Sequence, residues 1–323
     1  MNVLGKLFFK KWQLMFLLLL GFGHNTIGQD VLFSQFYKNP IYINPALTAL
    51  QECGRAYFNY RNTSIGPLDQ RFYALAFDIP FIESNSGLGA MFQWQEDGLK
   101  RTGTFGFQFS RKVSITENLF LTMGMEAGGI FRTWNQSDIR LPSDIDNSSG
   151  GGTGVTPPST LIYDLAAGAG VNYKQHYAGF AVRHITESQA RAININSPVY
   201  RKYIAHYAAR IPYRLPGART GFFSPHVIFE QQNGNNHLTS GVYAIYNKVG
   251  AGLWIRNHFP FKTSFLVLMA TIKRQNFEFS YSYDFPLNGS GIVTGGHEIA
   301  LIYYLSTFKK KHEGLNSKNC LSF

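Results

Sequence analysis

Beyond its first thirty residues the chain has no apolar run approaching the 18 residues that read as a membrane-spanning helix. Cysteine is scarce: Cys53 and Cys320 are the only two, and neither stands in a metal-binding spacing. A single disulfide and two separate thiols both stay open. None of the nine histidines pairs with another at i, i+2 or i, i+4. His297-Glu298 lacks the second histidine of a helical HExxH zinc site. There is no G-x-S-x-G elbow, and GLGAMF lacks the spacing of a dinucleotide fingerprint. No period of 20–50 residues marks a repeat protein. These absences lead us to expect no catalytic residue, no metal and no cofactor. Ser224 and His226 share a strand face by parity, but proximity without a third orienting group is thin ground for catalysis.

Aromatic residues and glycine are abundant. The chain has 28 Phe, 18 Tyr and 32 Gly, a composition that suits many strands joined by tight turns. In QNFEFSYSYDF, aromatics at Phe277, Phe279, Tyr281 and Tyr283 alternate with polar residues. Successive side chains of a strand point to opposite faces, so this segment has one aromatic and one polar face. In TGTFGFQFS, Phe105, Phe107 and Phe109 share a face in the same way.

Fourteen such segments are predicted, near 55–62, 70–78, 87–95, 102–112, 118–131, 160–172, 175–183, 201–210, 220–230, 237–247, 249–257, 263–271, 274–284 and 295–306. Several exceed the usual soluble strand of about five or six residues and approach the 9–11 needed to cross an outer membrane at a tilt. In lipid every backbone polar group must pair, so alternating strands have to close into a ring. The fold expected is therefore all-β: a closed antiparallel transmembrane β-barrel of 14 strands over 55–306, in the cell outer membrane and solvated by its lipid. With both ends of the barrel in the periplasm, 132–159, 184–200 and 285–294 face outward, and the shorter links face inward. Glu126, Arg183, Glu230, Arg256 and Glu278 are assigned to the lumen, and Tyr57, Tyr73, Tyr173, Tyr200 and Tyr246 to interfacial girdles. Glycines inside strands are assigned to bends or close neighbours.

The flanks differ. Lys6, Lys10 and Lys11 precede MFLLLLGFG, the pattern of a signal peptide over 1–28. Residues 29–54 read as an ordered, non-strand segment at the periplasmic mouth or in the lumen. Residues 307–323 read as a basic periplasmic tail carrying Lys309, Lys310 and Lys311. The net charge of +11 comes from otherwise scattered basic residues, without the basic face of a nucleic-acid binder.

The lead-in holds Gln29-Asp30, Phe33-Ser34-Gln35-Phe36, Asn39-Pro40 and Asn44-Pro45-Ala46. Tyr60-Arg61-Asn62 follows, then SGLGAMF, YSYDF and GGHEIAL with His297-Glu298. In this order the motifs resemble the PorP/SprF family of the type IX secretion system. Phe36 and Leu47 stand where tyrosines are common, Gly296 replaces a serine, and the tail runs past the usual end. The resemblance implies a non-enzymatic outer-membrane barrel supporting type IX secretion, surface anchoring of large adhesins and, in some members, gliding motility. It implies two partners: a surface adhesin with a type IX C-terminal sorting domain, and a periplasmic peptidoglycan-associated secretion component. Gln29, Asp30, Phe33, Ser34, Gln35, Phe36, Asn39, Pro40, Asn44, Pro45, Arg61, Asn62, His297 and Glu298 are the structural or partner-binding candidates. The alternatives are a diffusion porin or small-solute channel, and a lipid- or peptide-active barrel enzyme using Ser224 and His226.

Overall fold

A computed structural model of the chain describes residues 30, 32–51, 53–65, 68–98, 100–134, 160–187, 189–192, 195–214, 220–259, 263–287 and 293–305. The sequence-derived signal peptide, Gln29, loop 135–159 and tail 307–323 lie outside the described residues.

The strands are β1 (Arg55–Ile65), β2 (Leu68–Phe81), β3 (Ser86–Asp97), β4 (Lys100–Thr116), β5 (Leu119–Trp134), β6 (Thr160–Tyr173), β7 (His176–Arg183), β8 (Gln189–Ala192) and β9 (Ile195–Pro198). They continue with β10 (Lys202–Ala209), β11 (Ile211–Arg214), β12 (Thr220–Gln232), β13 (Asn235–Tyr246), β14 (Val249–His258), β15 (Thr263–Arg274), β16 (Phe277–Pro286) and β17 (Val293–Tyr304). Fourteen of them, β1–β7, β10 and β12–β17, form a closed antiparallel ring. Closure comes from β1 pairing β17, in register from Arg55↔Tyr304 to Thr63↔Gly296 with an irregularity before Ile65.

Alternation sorts the side chains. On β16, Glu278, Ser280, Ser282 and Asp284 are buried, while Phe277, Phe279, Tyr281 and Phe285 are exposed. Around the ring the outer face carries Leu75, Phe107, Met125, Phe180, Leu253 and Leu268. Such a continuous apolar belt is unsustainable in water and is what a hydrocarbon environment stabilises. The barrel is thus inverted relative to a soluble protein, with polar groups in its core. No helix among the described residues is long and apolar enough to cross a membrane.

Two differences from the expected strands have local causes. The 184–200 link contains a hairpin of its own, β8–β9. The 211–219 link begins with β11, which pairs with the lower end of β12 after β10 has paired with its upper part. A third difference concerns Tyr57. It points into the barrel beside Asp78 and is buried, because odd-numbered residues of β1 face the lumen.

Two-residue turns close β4–β5, β6–β7, β13–β14 and β15–β16 at one end of the ring. Lys174, Asn247 and Gln275 take the positive φ that such turns demand. The long links after β5, β7 and β16 lie at the other end. Long outside and short inside orients the barrel, so β1 runs outward and both its start and the end of β17 face the periplasm.

Candidate functional site

An eight-stranded barrel can be filled by its own side chains, whereas 16 strands leave a channel. This ring lies between the two, and the lead-in fills the difference. Residues 32–51 occupy the lumen as a 3-10 turn (Phe36–Lys38), a single helical turn α1 (Pro40–Ile43) and a second 3-10 turn (Pro45–Leu47). Pro40 and Pro45 each occupy the first position of their turn, where the missing N–H costs nothing. The Asn44 side chain caps the second 3-10 turn by accepting from the Ala46 N–H at 2.8 Å.

The plug spans the lumen from end to end. Outermost, the Asp30 N–H donates to Gln232 at 2.9 Å, and its carboxylate lies 2.7 Å from His184 Nε2. Innermost, Thr48 donates to Gln108 at 2.6 Å and the Ala49 N–H to Asp78 at 2.8 Å. The chain therefore descends from the outer mouth to the periplasmic mouth before entering β1.

Four motifs that are remote in sequence meet at the ring's seam. The Ser34 and Gln35 N–H groups donate to the Glu298 carboxylate at 2.7 and 3.0 Å. Arg61 donates to Glu298 at 3.2 Å and to Asp284 at 2.7 Å. Arg256 donates to Asp284 at 3.2 Å and to the Ser34 hydroxyl at 2.7 Å. Ser34 donates to Asp284 at 2.7 Å and accepts from Arg61. Two guanidinium groups thus balance two carboxylates, all buried. Buried charges are tolerable only when paired and fully hydrogen-bonded, and the plug supplies the missing donors.

Farther around the wall, Lys38 pairs with Glu278 and donates to Tyr243 at 3.0 Å. Arg183 binds Glu126 at 2.6 Å and the Tyr42 carbonyl at 3.0 Å. Tyr37 stacks on Trp254 with centroids 5.0 Å apart, and Phe33 meets Tyr42 edge-on at 5.1 Å. Asn39 reaches Asn59 at 3.3 Å, and Asn44 donates to the Ala169 carbonyl at 3.2 Å. Phe36 packs beside His226, whose Nε2 lies 2.9 Å from Ser224 Oγ. That hydroxyl also donates to the Ala209 carbonyl at 2.7 Å, and both side chains lie buried beneath the plug.

Asn62 and His297 are not part of this network. They face each other across the seam on the outer surface, where His297 lies 2.7 Å from the Tyr281 hydroxyl. Sequence reasoning placed Arg183 in the lumen by strand parity but missed that Arg183, Lys38 and His184 hold the plug; Lys38 and His184 lie outside the strands, where no alternation marks them.

The strand glycines acquire a specific purpose. A Cβ on Gly124 would collide with the Pro45 backbone, and one on Gly168 with the Asn44 side chain. One on Gly89 would lie 2.8 Å from Thr48 Cγ2. These positions are indentations that admit the plug. Gly124→Val should cost about 1–3 kcal/mol, the usual range for overpacking. Urea unfolding of the lipid-inserted protein would register this as a lower midpoint; an unchanged midpoint would contradict the close fit.

His184 follows β7 directly, with Nδ1 2.8 Å from Asp164 and Nε2 2.7 Å from Asp30. Burial alone would lower its pKa. The Asp30 charge and the hydrogen bonds to both carboxylates outweigh burial and lift it from 6.5 to about 9. A pKa raised on folding means that the contribution is complete below pH 6.5 and is lost as pH rises through about 9. The outer end of the plug should loosen across that window. Faster amide exchange in residues 30–35, corrected for intrinsic rate, would report it. The step should vanish in His184→Gln, and its persistence there would reject this assignment.

Cys53 is buried against Tyr57 and Ile302 and is disulfide-bonded; the chain's other cysteine, Cys320, lies outside the described residues.

A family model described as type IX secretion system membrane protein PorP/SprF matches residues 25–303. No curated protein matches the chain. Among solved structures, the Ralstonia pickettii toluene transporter TbuX aligns with a TM-score of 0.47 at 11% identity, over 88% of this chain and 98% of that one. CdiB from Acinetobacter baumannii aligns at 0.43 and 9% identity, over 79% and 60%. BamA from Haemophilus ducreyi lacking POTRA domains 1–3 aligns at 0.39 and 8% identity, over 78% and 71%.

Proposed function

Because the chain belongs to the PorP/SprF family of type IX secretion system membrane proteins, we propose that this outer-membrane barrel is a sealed, non-enzymatic anchor for an exported adhesin. The observation that carries the reading is the filled lumen. A diffusion porin needs a continuous water path, whereas here residues 32–51 are bonded to the wall from one mouth to the other. A rigid filled barrel suits a load-bearing mount, which must resist force without leaking ions.

On this reading the adhesin's C-terminal sorting domain engages the outward face, through 135–159 and the β8–β9 hairpin. The periplasmic face, with the basic tail, meets the peptidoglycan-associated component of the secretion machinery. Gliding motility would draw on the same mount. The leader over 1–28 is removed on export, leaving a mature chain that starts near Gln29. Phe33, Phe36, Asn39 and Asn44 act by packing and capping the plug, while Asn62 and His297 act at the lipid boundary.

The test is deletion of the gene with tagged re-expression. Loss of surface adhesin on deletion, together with copurification of a protein bearing the sorting domain, is the expected result. Intact display and no such partner would end the anchoring reading. Stepwise conductance of the native protein in planar bilayers would favour a small-solute channel instead.

A further inference from the structure

The two ends of the ring differ in how their charges are matched. At the outer end Arg71 lies 3.8 Å from Asp69, Arg101 3.9 Å from Glu96 and Arg201 3.6 Å from Glu187. At the periplasmic end, Lys248 in the β13–β14 turn and Arg274 at the foot of β15 are exposed. Neither forms an ion pair with another described residue.

Their setting is the lower edge of the lipid-facing belt. Val249↔Ile272 is the last rung of β14–β15, and both side chains are exposed. One step nearer the periplasm, the Lys273 N–H donates to the Lys248 carbonyl at 2.8 Å, which sets the two turns side by side. By parity Arg274 shares the outward face of Leu268 and Ile272. It stands opposite Phe277, which is exposed on that face with its ring centroid 4.7 Å from that of Tyr303. The acids lie elsewhere. Glu278, opposite Lys273, points into the lumen, where Lys38 and Tyr304 bind it. Glu83 and Glu117 belong to the β2–β3 and β4–β5 turns, which β16, β17 and β1 separate from β15.

We propose that Lys248 and Arg274 bind the headgroup phosphate of an anionic phospholipid in the periplasmic leaflet. The bases end a column of apolar side chains that faces lipid, so they stand at headgroup depth. There their long stems lie along the belt while the charged heads reach the polar layer. The acyl chains of the same lipid run along Val249, Ile272 and Phe277, which are exposed on the outer face. A dissolved acidic partner would match the charges but not the apolar column beside them, and a phospholipid matches both. Arginine and lysine bind phosphate through charge-assisted hydrogen bonds, and each base near an anionic lipid surface contributes about 1 kcal/mol, about fivefold in affinity. This contact is separate from the anchoring reading and does not depend on it.

The delipidated full chain, in micelles of a non-ionic detergent, would be titrated with dioleoyl-phosphatidylglycerol and with dioleoyl-phosphatidylcholine, and bound lipid counted by native mass spectrometry. Preferential retention of phosphatidylglycerol is expected. Lys248→Gln combined with Arg274→Gln should raise its Kd by roughly 30-fold, about fivefold for each charge, and leave phosphatidylcholine unaffected. Arg71→Gln, at the outer end where Asp69 balances the charge, should change neither. Heat-modifiable migration on gels checks folding, and if the double variant fails that check, each single variant should show its own fivefold loss. Equal retention of the two lipids, or a double variant that matches the native chain, would overturn the proposal. A loss in Arg71→Gln as large as that in the double variant would overturn it too, because net charge alone would then set the preference. Displacement of phosphatidylglycerol by an equal concentration of inorganic phosphate would overturn it in favour of a free-anion site. Adhesin display in the deletion strain is a separate readout, so the two readings can fail independently.

Discussion

Removal of residues 30–50 turns a sealed barrel into an ion-conducting one. That is the largest change we expect from any alteration of this chain. The wall alone encloses a space wider than its own side chains fill, and its inward face is polar. Without the plug, water enters and hydrates Asp284 and Glu298, which keep their wall arginines, so the loss of the Ser34 and Gln35 donors does not strand them in a dry core. The ring's own ladders, including the β1–β17 seam, remain intact. The variant should keep heat-modifiable migration on gels and show stepwise ohmic currents in planar bilayers, where the native protein shows none. A folded but silent variant would mean that some other part of the chain seals the lumen.

The second large effect comes from removing one charge while the plug stays in place. Among the described residues, Arg61→Met strips Glu298 of its only arginine and Asp284 of one of its two. The carboxylates are then buried and under-compensated, a situation that costs about 3–5 kcal/mol. Deleting both sides of a buried pair is far cheaper than deleting one. Arg61→Met combined with Glu298→Gln should therefore recover a substantial part of the loss. Urea unfolding midpoints in a common lipid would provide the double-mutant cycle. Additive losses from the two substitutions would show that Arg61 and Glu298 do not act as a unit.

The barrel was legible because its signals are local and repeated. Alternation in 277–286 is visible without any partner strand, and the same period recurs along the chain. Ring closure brings the first and last strands together without setting register, so the sequence does not say which residue of β17 faces Arg61. Register emerged from the whole ladder, which places Arg61 opposite Glu298. The lead-in was harder. Its turns last three or four residues and show no period. Its position depends on indentations at Gly124 and Gly168, on strands far away in sequence. A glycine within a strand looks the same whether it permits a bend or makes room for another segment. Tyr57 failed for a related reason: an aromatic near a strand end suits an interfacial girdle, but its parity on β1 sends it inward to Asp78.

The outer-membrane placement and the family membership accord with a barrel whose interior, rather than its surface, is the polar part. Motifs at 33–36, 61, 284 and 298 have a shared physical task, the neutralisation of one buried cluster by one inserted segment. Sequence positions that look unrelated are thereby tied to a single structural event.

Amide hydrogen exchange over residues 33–48, in the lipid-embedded native protein, tests the inserted segment most directly. Protection lasting hours at Ser34 and Gln35, comparable with that of the β-ladders, is expected when their N–H groups are bound to Glu298 inside the lumen. Exchange at the rate of an unstructured peptide would place the segment outside the barrel and contradict the account.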